Sequence, residues 1–265
     1  MTTALICYNH GTIQYNLTII FMSGLPPSKQ EIINALNQSY NILSQWSKKQ
    51  RWEFNSNVYH IQRITTSVQN KEQTIIDLGC GIGILAIALK LLGYKHVYGA
   101  DRDVFLSNTD YTIADIDQLK AVWEKADVII TPSIDDLNIK ADFVVSIAVI
   151  EHQPYPKEYF ASLTQVMKKG AHVYIATPNI SNFKNRIRVL IGRAPVVTLE
   201  KWYKDARNFV GHWHEYTLAE LMQVCELGGL HIINCESEQT HKSPFPKWLH
   251  KYTTSGDTIS VIAKY

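Results

Sequence analysis

A chain of 265 residues with 46% hydrophobic content can bury one substantial core, so one catalytic-sized domain with added elements is expected. The formal net charge of +2 arises from charges of both signs spread along the chain, with no long basic run to mark a nucleic-acid surface. Four cysteines, Cys7, Cys80, Cys225 and Cys235, show neither CxxC spacing nor a paired histidine pattern, which argues against a zinc site or a disulfide framework and fits a reducing cytoplasm.

The stretch from Met1 to Leu25 carries apolar runs such as Leu17–Met22, far short of the ~20 residues that span a bilayer, and it lacks a basic leader and a cleavage site. Tyr8-Asn9-His10-Gly11 separates two β-prone runs as a turn would, and Met22 is a second candidate start of translation. Ile32, Ile33, Leu36, Tyr40, Leu43 and Trp46 recur at helical spacing behind Ser28, an N-cap candidate three residues before Glu31, and predict a helix ending near Lys49. A weaker helical pattern runs from about Trp52 to Val68, and residues 1–70 read as an extension and helical cap.

From Thr74 the pattern alternates: strand Thr74–Leu78, helix Ile82–Leu92, strand His96–Ala100, helix Ile116–Lys125, strands Asp127–Thr131 and Phe143–Ala148, helix Pro156–Lys168, strand His172–Ala176. Such alternation implies parallel strands joined by crossover helices, with Gly93 and Gly170 at helix C-caps. Regularity lapses over residues 178–216, a candidate substrate lid, before a helix at Leu218–Leu227 and strands His231–Glu236 and Thr258–Ala263. Within that lapse Lys184, Arg186, Arg188 and Arg193 read first as a solvated helix face and second as a contact for an acidic substrate.

The strand Thr74-Ile75-Ile76-Asp77 ends in a carboxylate and is followed at once by Gly79, Gly81 and Gly83 and an apolar helix. Glycines here let a ligand approach the backbone, and the helix start offers unpaired N–H groups, so a nucleotide-like ligand is implied. Gly81-Ile82-Gly83-Ile84-Leu85-Ala86 also satisfies the dinucleotide pattern GxGxxA, with Asp101 at the spacing of a ribose acid, so two cofactors compete. Asp77 favours one of them, because a carboxylate there repels a pyrophosphate and suits the ammonium of an amino-acid moiety.

Asp77-Leu78-Gly79-Cys80-Gly81-Ile82-Gly83 resembles motif I of the class I S-adenosyl-L-methionine (SAM)-dependent methyltransferases. Val97-Tyr98-Gly99-Ala100-Asp101 resembles the family's second strand, and Phe143 to His152 its fourth strand with the Glu-His ending of ubiquinone-biosynthesis O-methyltransferases. Ala176-Thr177-Pro178-Asn179 and His212 to Leu221 are similar to the later part of that group. The resemblance implies a Rossmann-like, doubly wound, mostly parallel seven-stranded sheet with an antiparallel C-terminal strand, in a SAM-binding domain over residues 71–265. It places cofactor contacts at Asp77, Gly79, Cys80, Gly81, Gly83, Asp101, Arg102, Ser133, Ile134 and Ile147. Ser133 stands where the family usually has an acid for the adenine amino group, and Arg102 where an apolar residue is usual; Asp135 and Asp136 lie nearby as alternatives.

Methyl transfer from a sulfonium requires alignment of a nucleophile and, for a hydroxyl acceptor, uptake of a proton. His152 is the leading base, at the carboxyl end of the fourth strand, with a structural role equally open. His212, His214 and Trp213 are candidates to face the substrate from the lid, together with Trp202, Tyr203 and Phe209, while Thr217 and Glu220 form a capping box. His212-x-His214 lacks a carboxylate at ligand spacing, so no metal is expected. The expected activity is methylation of a small-molecule acceptor, most readily at oxygen, with a nicotinamide-dependent oxidoreductase and a non-catalytic SAM-binding subunit as alternatives. No nucleic-acid partner and no membrane span are expected.

Overall fold

The computed structural model describes residues 25–105, 112–195, 199–204, 211–243 and 253–265. The turn expected at Tyr8–Gly11, Met22, Phe209 and the side chain of Trp202 lie outside the described residues. Seven strands form one sheet: β1 (Thr74–Leu78), β2 (His96–Ala100), β3 (Ile129–Thr131), β4 (Ala141–Ile147), β5 (Met167–Pro178), β6 (His231–Glu238) and β7 (Thr258–Lys264). Their order is β3-β2-β1-β4-β5-β7-β6, and only β7 runs against the other six. The chain leaves β1 toward β2 on one side and returns at β4 on the other, which opens a crevice at the carboxyl ends of β1 and β4.

Ser28 caps α1 (Lys29–Ile42) with the reciprocal Glu31 contact anticipated from sequence. The helix stops at Leu43, earlier than expected, and the chain passes through α2 (Ser44–Ser47) and a 3-10 turn over Lys48–Glu53 into α3 (Phe54–Ser67). Leu36, Tyr40, Ile61 and Ile64 of α1 and α3 share one core with Ile75 of β1 and Ile87 of α4 (Ile84–Leu91). Buried hydrogen bonds tie the same layers: Ser39 donates to the Ile84 carbonyl (2.7 Å), and His60 Nδ1 meets the Tyr174 hydroxyl (2.8 Å). Leu36→Ala should therefore cost about 2–5 kcal/mol and lower the urea midpoint of the whole protein as a single transition.

On the first face, α5 (Arg102–Phe105), which sequence periodicity did not show, and α6 (Ile113–Lys125) follow β2; α7 (Pro156–Gln165) and α10 (Leu218–Leu227) cover the second, built on Ile76, Val144, Phe160, Leu163 and Leu221. The α7 prediction ran too far. Met167 pairs with Ala141, so residues 167 and 168 belong to β5, and Gly170 (φ 83°) lies inside that strand, not at a helix C-cap; its N–H donates to the Tyr265 carbonyl. Gly93 (φ 91°) does follow the α4 terminus, with its N–H on the Lys90 carbonyl.

The segment expected to be irregular contains α8 (Phe183–Leu190) and α9 (Leu199–Lys204). In α8 only Asn185 is buried, so no apolar stripe announced the helix. Two of its basic side chains are anchored to the chain: Arg186 donates to the Ser181 and Thr253 carbonyls and Arg188 to that of Ala194. Cys80 and Cys225 are thiols, whereas Cys235 on β6 is disulfide-bonded, which corrects the expectation drawn from cysteine spacing. Local spacing does not report a pairing made by tertiary contact. Among the described residues no helix is long and apolar enough to cross a membrane.

Candidate active site

Three glycines with positive φ turn the chain from β1 into α4: Gly79 (75°), Gly81 (54°) and Gly83 (87°). Their backbone N–H groups bond to the Ala100 carbonyl (2.7 Å), the Asp101 carboxylate (2.8 Å) and the Cys80 carbonyl (3.0 Å). A Cβ at Gly79 would stand 2.2 Å from Val149 Cγ2, and one at Gly83 2.6 Å from Ile130 Cδ1. Those two glycines are demanded by the packing of the protein itself. A Cβ at Gly81 meets nothing within 4 Å, so there the missing side chain leaves a cradle open to a ligand.

Asp77 is 4% exposed, and burial, aided by the negative charge of Asp101, pushes its carboxyl up to about 7 from an ordinary 3.8. Asp101 is also raised, chiefly by burial, although the backbone N–H groups of Gly81, Asp103 and Val104 hold its carboxylate. Two neighbouring acids, Asp77 buried and Asp101 half-buried, make surroundings that gain from a cation and resist a pyrophosphate. Burial and the two acids push the Cys80 thiol well above its usual range, which leaves it inert as a nucleophile.

A cavity of about 380 Å³ opens on this loop. Asp77, Gly79, Cys80, Gly81, Ile147 and Ala148 line it from the ends of β1 and β4, Trp52, Glu53, Ser56, Asn57 and His60 from the cap, and His241, Asp257 and Thr258 from the segment leading into β7. Ala148 holds φ 55°, a left-handed conformation unusual for a residue with a side chain, where β4 ends at the cavity. His60 is buried between Ser56 Oγ (3.1 Å) and the Tyr174 hydroxyl, and desolvation drives its pKa down to about 3, so the ring is neutral. Trp52 stacks on His241 with ring centroids 5.6 Å apart, and His241 in turn contacts Asp257 (3.0 Å).

Behind Thr177, another lining residue, lies a second polar group. Thr177 Oγ1 donates to Glu151 Oε2 (2.9 Å), and Glu151, in the turn after β4, is wholly buried. Burial raises its carboxyl, against the hydrogen bonds and His212 that lower it. The Glu151 carbonyl accepts the backbone N–H groups of Trp213 (2.7 Å) and His214 (3.4 Å), which fastens this part of the expected lid to the end of β4. The rings of His152 and His212 meet edge to face at 4.8 Å.

The crevice, loop and neighbouring acids can be set beside known proteins. Residues 50–234, more than half of the chain, match the family model described as a methyltransferase domain. The chain belongs to the SAM-dependent methyltransferases. It is 26% identical over 187 residues to the ubiquinone biosynthesis O-methyltransferase of Coxiella burnetii, an alignment covering 70% of this chain and 75% of that one. It is 30% identical over 165 residues to the enzyme of the same name from Nitrosococcus oceani, covering 60% and 64%. The fold is shared with a Haloferax volcanii methyltransferase solved in complex with the Trm112 methyltransferase activator, at TM-score 0.53 and 15% identity over 87% of this chain and 96% of that one. A SAM-dependent methyltransferase of Thermotoga maritima superposes at TM-score 0.50 with 13% identity, covering 85% and 99%. SAM is therefore the cofactor, and the nicotinamide-dependent alternative falls.

Within this methyltransferase the cofactor residues expected from sequence divide. Asp77, Gly79, Cys80, Gly81 and Ile147 line the cavity, and Asp101 adjoins it through the Gly81 N–H. Gly83 serves the packing described above. Arg102 is exposed and paired with Asp103, Ser133 caps a 3-10 turn over Ile134–Leu137, and Ile134 is packed in the second core, so none of these three lines the cavity. His152, His212, Trp213 and His214 likewise lie off its lining; His214 stacks edge-on against Tyr216, which is buried in the second core. Tyr203 is exposed. Sequence reading overlooked Glu151, although it adjoins His152 in the quoted motif, and His60, Asp257 and Thr258, which no local pattern marked.

Proposed function

We propose that this chain transfers the methyl group of SAM to an oxygen of a small-molecule acceptor, and the observation that carries the reading is the cavity lined jointly by the glycine loop and the helical cap. On the sheet side, Asp77 receives the ammonium of the methionine moiety, Gly81 admits the cofactor against the backbone, and Asp101 turns to the ribose hydroxyls. From the cap and the segment before β7, Trp52 and His241 offer aromatic faces, and Ser56, Asn57 and Thr258 offer hydrogen-bonding groups to an acceptor. A volume of about 380 Å³ is that of a small-molecule site. In the reaction the acceptor oxygen forms the new O–CH3 bond as the S–CH3 bond breaks. The electron pair stays on sulfur, S-adenosylhomocysteine leaves, and the hydroxyl proton is released to water; His152, the base suggested by sequence, lies off the cavity lining. Pro178 lines the cavity, and Trp213 and His214 are anchored to the end of β4 through the Glu151 carbonyl.

Oxygen as the methylated atom is supported by the names of the ubiquinone-biosynthesis relatives. Incubating the purified protein with SAM and matched phenols, catechols and anilines should yield S-adenosylhomocysteine together with O-methyl ethers, read by mass spectrometry. Exclusive formation of N-methyl products, or turnover with a protein acceptor and none with small molecules, overturns the proposal.

A further inference from the structure

Glu151 is 0% exposed, and its Oε1 has no hydrogen-bond partner among the described residues. Oε2 is held by Thr177, so the carboxylate is fixed with one oxygen aimed at a site that supplies it no donor. A buried carboxylate oxygen left in that condition is costly unless a cation meets it. One ligand atom from each of Glu151, His152 and His212 lies within 4.8 Å of the other two. An ion with bonds of ~2.0–2.2 Å sets its ligands roughly 3.5 Å apart, a separation that small rotations of the two rings reach.

The outer contacts of both rings have the form found around metal-bound histidines, in which the nitrogen not on the metal is held by a carboxylate or a backbone carbonyl. His212 Nδ1 lies 2.6 Å from Glu215 Oε1, and His152 Nδ1 lies 3.2 Å from the Gly211 carbonyl. The sequence concealed this arrangement, because the carboxylate that completes the pair of histidines comes from the end of β4 and not from the neighbourhood of His212. Two imidazoles and one carboxylate suit borderline divalent ions of the zinc, cobalt and iron type better than magnesium or calcium.

We propose that Glu151, His152 and His212 bind one divalent first-row transition-metal ion next to the cofactor cavity. His152 is then a ligand in place of the base that its sequence position suggested. Thr177 both donates to Glu151 and lines the cavity, so the ion stands one side chain behind the cavity wall. There it would hold Glu151, and through it Thr177, in place at the wall of the cavity where the acceptor binds. That use rests on the methyl-transfer reading; the binding of the ion does not.

The test is a titration of the tag-free, EDTA-treated full chain with Co2+, followed by visible absorption, with Zn2+ as competitor. One Co2+ per chain with d–d bands that Zn2+ abolishes is expected. Glu151→Gln, which keeps the contact with Thr177, and His212→Ala should each lose the stoichiometric site, and Glu215→Gln should weaken it roughly 10- to 100-fold. SAM binding measured on the same preparations shows that the variants fold. Absence of stoichiometric Co2+ binding in wild-type protein, or equal affinity in Glu151→Gln and His212→Ala, overturns the proposal. Cobalt binding without SAM binding would instead count against the cofactor assignment alone.

Discussion

Asp77→Asn should make the protein more stable and bind SAM worse. In the folded wild type the Asp77 carboxyl titrates at about 7, against 3.8 when exposed. Folding therefore takes up a proton between those values. The stability associated with that proton is fully present below about pH 3.8 and is lost as pH rises through about 7. An asparagine of the same shape does not titrate, so the variant's advantage should grow between these pH values and level off above 7, at a difference of the order of 4 kcal/mol. Urea melts of both proteins at pH 5, 7 and 8.5 measure it. SAM reverses the balance, because its ammonium needs the ionised carboxylate: affinity in the wild type should rise with pH up to about 7, while the variant should be roughly 10- to 100-fold weaker and insensitive to pH. Equal affinity in the two proteins would show that Asp77 does not meet the ammonium.

Gly79→Ala and Gly81→Ala should fail in opposite ways. At Gly79 the added methyl would stand 2.2 Å from Val149, on a residue with φ 75°. Overpacking and the left-handed backbone together should cost about 2–5 kcal/mol and lower the melting temperature. At Gly81 the methyl meets no protein atom, and the φ of 54° is tolerable at about 1–2 kcal/mol. That variant should fold, with SAM affinity reduced roughly 10- to 100-fold because the methyl occupies the ligand's place. Calorimetric titration with S-adenosylhomocysteine alongside thermal melts separates the two. A Gly81→Ala protein with wild-type affinity would place the cofactor elsewhere.

What was legible in the sequence was what depends on near neighbours. Ser28 with Glu31, and Thr217 with Glu220, show their capping boxes in four residues, and the strand, glycines and helix around Asp77 form one contiguous signal. The short helices α5, α8 and α9 escaped notice because they bury one residue or are too short for a period to emerge. Gly170 misled because a positive-φ glycine serves a strand as readily as a helix end. The rest of the cavity lining was illegible for a different reason. His60 comes from α3, and His241 and Asp257 from the segment between β6 and β7; only the folded sheet brings them to the same cavity as Asp77. Glu151 was hidden in plain view, since its importance lies in total burial and an unpartnered oxygen, neither of which a motif displays.

The central claim is that the loop from Asp77 to Gly83 holds SAM. Thermal denaturation of the wild-type protein with SAM, S-adenosylhomocysteine, NAD+ or NADP+ tests it most directly. At a hundred times its Kd, a ligand of the folded state adds about 2.7 kcal/mol. A rise in melting temperature with SAM and S-adenosylhomocysteine, and none with either dinucleotide, is the result predicted here. A rise with NAD+ or NADP+ and none with SAM would contradict it.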